Sequence, residues 1–352
     1  MFLAWRELIH NRKKFLLIVS LIVLITYLVY FLISLSYGLA TSYTNAIDKI
    51  DANYIVLSEN ANDNAMMSML TSAEYNAVVT TGQKEKLGLF PAVISNIDDN
   101  SEKIDVFVFG TDNLSFFLQE YDTITTLSDG KVIADISLQK SGYEIGDHIT
   151  MAGTNISWEI IDFTEKSTYQ TAPVVYTNLT DWKDYRFSGQ TTMDFYNSIV
   201  IKGDVSLDGT PLLSYTIKDY ISTLPGYTAQ VLTFSLMIGF LIVISSFVLG
   251  IFIYVLTVQK APIFGVMKAQ GISNFYISSS VIIQTIIIML FGILFGMSLT
   301  LLSGYFLGEF VPFAVNYLFY AAVTLAFLGF SVLGGLFSVS SITKIDPLKA
   351  IK

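Results

Sequence analysis

Four stretches of this chain run for more than thirty residues each without an Asp, Glu, Lys or Arg: 15–47, 220–259, 269–308 and 310–343. A bilayer core roughly 30 Å thick is crossed by about 20 apolar residues in a helix. Each of the four stretches is long enough, and the longest charge-free run elsewhere, Ser167–Thr180, is rich in Thr, Asn and Tyr. The spacing predicts a polytopic α-helical membrane protein with four transmembrane helices. A mixed, β-rich extracellular domain is inserted between helices 1 and 2. Composition agrees: 53% of residues are hydrophobic and 14% charged, against about 25% charged in an ordinary soluble domain.

The expected order is an amphipathic cytoplasmic helix at 1–14, a first span at 15–37, the external domain at 38–228 and a second span at 229–256. A cytoplasmic loop at 257–276, a third span at 277–307, an external loop at 308–315, a fourth span at 316–341 and a tail at 342–352 complete it. Charge orients the chain. Residues 38–228 carry a net charge of −15, whereas Arg6, Arg12, Lys13, Lys14, Lys260, Lys268, Lys344, Lys349 and Lys352 cluster at the termini and the middle loop. Basic loops stay in the cytoplasm, so both termini and residues 257–276 are expected inside the cell membrane and the acidic insert outside. The apolar run Phe15–Tyr37 exceeds the 7–15 residues of a signal-peptide core and reads as a retained anchor. With no cysteine the chain makes no disulfide or thiolate metal site, which suits a Gram-positive bacterium.

The insert alternates apolar and polar residues at Tyr54–Leu57, Ile104–Phe109, Ile156–Ile161 and Ser198–Ile201, the period of half-buried strands. Asp129-Gly130, Gly146-Asp147 and Asp208-Gly209 mark turns. Helices are expected near Ser72–Thr80 and Ser214–Leu224. Within the spans, Gly292 and Gly296 form a G-x-x-x-G and Gly334, Gly335 and Ser338 cluster, the small residues that let helices approach closely in lipid. The two glycine sets point to contacts among spans or between protomers.

Enzyme chemistry finds little support. No G-x-x-x-x-G-K-[ST] run exists to cradle a nucleotide, and the only histidines, His10 and His148, are expected on opposite sides of the membrane. His148 reads as an ordinary strand histidine. No ionisable residue lies deep in a span, which removes the usual marker of a proton relay or ion-coupled carrier. The loop 257–273 is more informative. Pro262 is placed to open a short helix and Gly271 to close it. Phe264, Met267 and Lys268 occupy neighbouring positions on it.

The run Phe264-Gly265-Val266-Met267-Lys268-Ala269-Gln270-Gly271 resembles the E-I-G-x-x-K-A-x-G segment of permeases in the FtsX/MacB family of ABC transporters. The tail Ile345-Asp346-Pro347-Leu348-Lys349-Ala350-Ile351 is similar to that family's closing I-D-P-x-x-A-L/I signature. Ala4-Trp5-Arg6-Glu7-Leu8 with Asn11-Arg12 resembles its entry helix, and one span before the insert with three after it is the family's layout. The family often has an acidic residue where Ile263 stands, so a charge contact there is not carried over. The resemblance implies a homodimer in contact with two copies of a separate ABC ATPase subunit, which binds the ATP. It also implies a coupling element formed by Phe264, Gly265, Met267, Lys268 and Gly271. The chain itself is then not an enzyme, has no intrinsic cofactor, and meets membrane lipid but no nucleic acid.

Within the family the opening residues and the Gly38-Leu39-Ala40 exit from span one look most like the haem-efflux permeases of Gram-positive bacteria. The implied activity is extrusion of a hydrophobic or amphiphilic compound, haem in particular. The alternative the family offers is an FtsX-like mechanotransmitter that regulates an external cell-wall hydrolase. Haem iron takes Tyr, His, Met or Cys, so Tyr169, three residues after Lys166, is a candidate iron ligand with a cation beside it for a propionate. Glu309, between Phe306, Leu307, Phe310 and Phe313, is a candidate carboxylate for an amphiphile entering laterally. Beyond haem iron, no metal site is expected.

Overall fold

The computed structural model describes residues 12–96, 103–121, 125–189, 194–308 and 310–343. The expected helix at 1–14 and the tail signature fall largely or wholly outside the described residues. In chain order the described α-helices are α1 (Arg12–Asp48), α2 (Ser72–Ala77), α3 (Ile136–Lys140), α4 (Leu179–Arg186), α5 (Ile217–Thr223), α6 (Tyr227–Gln259), α7 (Ala261–Ala269), α8 (Asn274–Leu307) and α9 (Tyr317–Thr343). The main sheet is built from β1 (Tyr54–Ser58), β2 (Gln83–Asn96), β3 (Ile104–Gly110), β4 (Lys131–Asp135) and β5 (His148–Met151). Its remaining strands are β6 (Ser157–Thr164), β7 (Thr168–Tyr169), β8 (Ala172–Thr177), β9 (Ser198–Lys202) and β10 (Leu212–Thr216). The chain divides into two compact units, residues 39–231 and the remainder. Both boundaries fall inside helices, α1 and α6.

In the first unit the strand order is β10-β1-β9-β2-β3-β8-β4-β6-β5, with β7 on β8 and β5 returning to pair with β2. Six strands, β2-β3-β8-β4-β6-β5, therefore close on themselves. Closure is possible because β2 is 14 residues long and pairs β9 along one half and β5 along the other. Most partners are antiparallel, but β8 lies parallel to β3 and β6 parallel to β4, which needs the long crossovers seen between them.

Both faces of the sheet are buried, and the two-residue period assigns side chains to each. Ile55, Leu57, Phe107, Phe109, Val174 and Tyr176 point to one core. Their strand neighbours Val56, Val106, Val108 and Val175 point to the other. Gly88 and Gly110 are cross-strand partners, and a Cβ on either would overlap the Trp182 indole. The glycines thus make the bare floor on which α4 seats its largest side chain. Helix α1 outlasts the expected first span, ending at Asp48 rather than near Tyr37, because Ala46 and Ile47 are buried in the first of these cores.

Among the described residues the second unit has four helices long and apolar enough to cross a membrane: α1 from Phe15, α6, α8 and α9. Its core joins Ile22, Val29 and Ile33 of α1 to Leu249 of α6, Met289 and Ile293 of α8, and Val323 and Phe327 of α9. The G-x-x-x-G faces α1 of the same chain: a Cβ on Gly292 would overlap Ile22, and one on Gly296 would overlap Thr26. The approach brings the Thr26 hydroxyl to 3.1 Å from the Gly292 carbonyl, so its one hydrogen is shared between that oxygen and Ile22 O at 2.9 Å. Gly334 of α9 meets the backbone of Gly250 on α6 in the same way. Ser34 with Tyr320, and Tyr30 with Thr324 at 2.6 Å, hydrogen-bond α1 to α9.

Gly292→Ala therefore forces α1 and α8 apart and should cost roughly 1–3 kcal/mol, the range for overpacking a tight contact. Gly239→Ala, at a position where a Cβ meets nothing within 4 Å, should be neutral or slightly stabilising. Thermal unfolding of the two full-length variants in detergent checks the difference.

Candidate functional site

The segment between α6 and α8 has the punctuation that the sequence predicts. Pro262 stands in the first turn of α7, where its missing N–H is not needed. Gly271 adopts a φ of 85° that favours glycine. The Gln270 and Ile272 amides donate back to Val266 O and Met267 O at 3.0 and 3.1 Å, closing the turn. Ser273 then caps α8 by accepting from the Tyr276 amide.

The two faces of this nine-residue helix differ in what they touch. Phe264 and Met267 are 5% and 9% exposed and pack with Ile277 and Val281 of α8 and with Ile272. Gly265 is buried with them. Ile263 and Val266 are 57% and 46% exposed, and the neighbouring Pro262 and Ala269 are also exposed. Lys268 is half-buried at the helix end, where a cation favours the helix dipole. Of the expected coupling residues, then, Phe264, Gly265 and Met267 fasten the helix to α8, Gly271 ends it, and Lys268 sits at its rim. The apolar surface left open is made by Ile263 and Val266. Spacing alone did not separate them, because positions 263/266 and 264/267 are both apolar pairs three apart.

Tyr169 lies in the core of residues 39–231, 1% exposed. Its ring stands edge-on to Phe107 and Phe109, with centroids 4.9 and 5.7 Å away, and its hydroxyl shares a hydrogen bond with that of Tyr220 at 3.0 Å. Burial raises the Tyr169 phenol, although the bond to Tyr220 pulls the other way; burial raises Tyr220 still further. Burial thus favours the neutral phenol at both positions. Lys166 is exposed, so the structure does not bring a cation and an open tyrosine together.

The loop that carries Tyr169 is held by the end of α1. Lys49, just past the helix, donates to Glu120 Oε1, Thr164 Oγ1 and Glu165 O, each at 2.7 Å. The amides of Gln170 and Thr171 donate to Tyr43 O and Ser42 O at 2.9 and 3.3 Å. Asp135 accepts from the Ser167 amide at 2.7 Å. Burial works to raise the Glu120 carboxyl, but the bonds from Lys49 and Thr164 prevail and leave it below its usual range. This clasp turns Tyr169 inward, and nothing local in the sequence announces it, since its partners lie 30 to more than 120 residues away. His148 is an exposed residue at the start of β5. Glu309 lies outside the described residues, and among those described no group of three His, Asp or Glu is placed to hold a metal ion.

Residues 235–347, which contain α7 and the two helices after it, match the family model described as FtsX-like permease C-terminal. The chain carries an FtsX-like permease domain. Proteins named hemin transport system permease protein HrtB align with it from end to end. That of Staphylococcus haemolyticus is 24% identical over 367 residues, covering 99% of this chain and 98% of the relative. One from Staphylococcus epidermidis is 23% identical over 354 residues with the same coverage. Among solved structures, the periplasmic region of MacB from Actinobacillus actinomycetemcomitans aligns with 51% of this chain and 95% of its own, at a TM-score of 0.35 and 11% identity.

Tyr169→Phe strands the buried Tyr220 hydroxyl without its partner, which should cost about 1–3 kcal/mol. The expected result is a lower melting temperature of the full-length protein with an unaltered Soret band in added haemin. A shifted Soret band with unchanged stability would instead make Tyr169 an exposed ligand.

Proposed function

We propose that the chain is the membrane-spanning permease of an ABC exporter that extrudes an amphiphile, haem foremost. It works as a homodimer with two copies of a separate ATPase subunit, both termini lying in the cytoplasm of a Gram-positive bacterium. The observation that carries this reading is the end-to-end correspondence with the staphylococcal proteins named for hemin transport. Haem enters as cargo. The spans suit an apolar porphyrin, because their charge-free runs offer hydrocarbon-like surfaces, and any carboxylate-bearing edge of the cargo is met at the span ends. The basic end of the permease domain faces the ATPase, and α7 supplies the contact through Pro262, Ile263 and Val266. An apolar patch at the position where relatives of the family carry an acid makes that contact one of shape and burial.

Deleting the gene should make cells hypersensitive to haemin and leave cell separation normal. Chaining or division defects with ordinary haemin tolerance would replace export by control of a cell-wall hydrolase.

At the contact itself, Val266→Asp places an unpaired charge in an apolar interface, worth several kcal/mol. Loss of about 3 kcal/mol corresponds to more than 100-fold weaker ATPase association. The variant should keep its wild-type melting temperature, because Val266 faces outward. Met267→Asp should do the reverse in order of cause: it unseats α7 from α8, lowers the melting temperature, and loses the ATPase as a consequence. Co-purification of the ATPase and thermal unfolding, measured on both variants, separate a docking residue from an anchoring one.

A further inference from the structure

A cavity of ≈ 160 Å³ opens among the ends of α1, α6 and α8 and the start of α7. Its walls are apolar, formed by Phe15, Ile18, Ile253 and Ile288, and one end is polar, formed by Lys260, Gln284 and Thr285. The polar end is built. Lys260 Nζ donates to Gln284 Oε1 at 3.0 Å, and Gln284 and Thr285 are 8% and 4% exposed. Thr257, also on the wall, spends its hydroxyl hydrogen on Ile253 O at 2.7 Å, so it adds no donor. No Asp or Glu occurs in the sequence between Asp219 and Glu309, so α6, α7 and α8 bring no carboxylate to this cavity.

Size and depth narrow the ligand. Drug-sized molecules occupy pockets of roughly 300–1,000 Å³, whereas an apolar cavity of about 150 Å³ takes up one benzene. A macrocycle does not fit; a segment of a single alkyl chain does. From Lys260 to Ile253 the helix rises about 10 Å at 1.5 Å per residue, within the roughly 15 Å depth of one leaflet. A cation at the headgroup level with an apolar slot running inward from it matches one molecule type: an anionic lipid. Basic pockets between membrane helices on the cytoplasmic side bind such headgroups by the same electrostatics.

We infer that this cavity is a binding site for one acyl chain of an anionic lipid, whose phosphate or carboxylate is held by Lys260 beside Gln284 and Thr285. The site is separate from cargo, and because it adjoins Lys260 and Ile263 at the root of α7, its occupancy bears on how firmly that helix is seated.

Native mass spectrometry of the purified full-length protein tests the inference with three probes: dioleoyl-phosphatidylglycerol, dioleoyl-phosphatidylcholine and oleate. The wild type should retain phosphatidylglycerol or oleate over phosphatidylcholine, and the probe it retains identifies the phosphate or the carboxylate form. Lys260→Gln should reduce that preference about fivefold, the contribution of one basic residue near a membrane surface, and Lys260→Arg should restore it. Ile253→Trp should fill the slot and abolish retention. A diazirine-bearing fatty acid, applied to the wild type, should label the peptides spanning 253–260 and 281–288. Equal retention of all three probes, retention unchanged in both Lys260→Gln and Ile253→Trp, or labelling confined to exposed residues such as Phe247 and Leu294 overturns it.

Discussion

The close crossing of α1 and α8 is the contact on which the membrane unit depends. Lipid tails are as apolar as the side chains they surround, so helices gain little by hiding leucines from them. What remains is packing and the hydrogen bonds that packing permits. Gly292 and Gly296 remove the atoms that would hold α1 away, and Thr26 uses the gap to bond the Gly292 carbonyl. One turn later the Thr300 hydroxyl reaches across to Tyr27 O at 3.4 Å, and Tyr27 meets Ser303 at 3.1 Å. The seam is thus a short ladder of small residues and hydroxyls. The same helix supplies Ala46 and Ile47 to the other unit's core and hands over to Lys49, whose three short hydrogen bonds fasten the Tyr169 loop.

Much of this is legible in the sequence because it follows from periodicities that solvent imposes. Charge-free runs locate the four spanning helices, and alternation at Tyr54–Leu57 and Ile104–Phe109 locates strands whose two faces fill two cores. The segment Ser214–Leu224, expected as a helix, divides into the end of β10 and α5, since Leu212–Thr216 pairs along β1. Local pattern does not register a strand partner some 150 residues away. Pro262 and Gly271 predict the ends of α7 because they act through their own backbone, with no partner required.

What stayed hidden depends on contacts far apart in the chain. A tyrosine near a lysine is compatible with a ligand or with a core ring, and the residues that surround this one, Phe107, Phe109 and Tyr220, stand 51 to 62 residues from it. Likewise α7 has apolar residues on both sides. A nine-residue helix between two spans must spend one side on staying attached, and only the position of Ile277 and Val281 shows that Phe264 and Met267 do this.

That division of labour explains why the outward side of α7 is apolar too. An isolated helix this short is unstable in water, so it persists here through Phe264 and Met267, which leaves Ile263 and Val266 largely exposed. A charge at position 263 would make a partner contact directional but screened by salt; an isoleucine makes it dependent on burial alone. Contact through burial is lost steeply with separation, because water enters as soon as the surfaces part. A short, well-anchored helix with such a face transmits displacement only while its partner is fully seated, and the stiffness of the link is set by the inner face packed on α8.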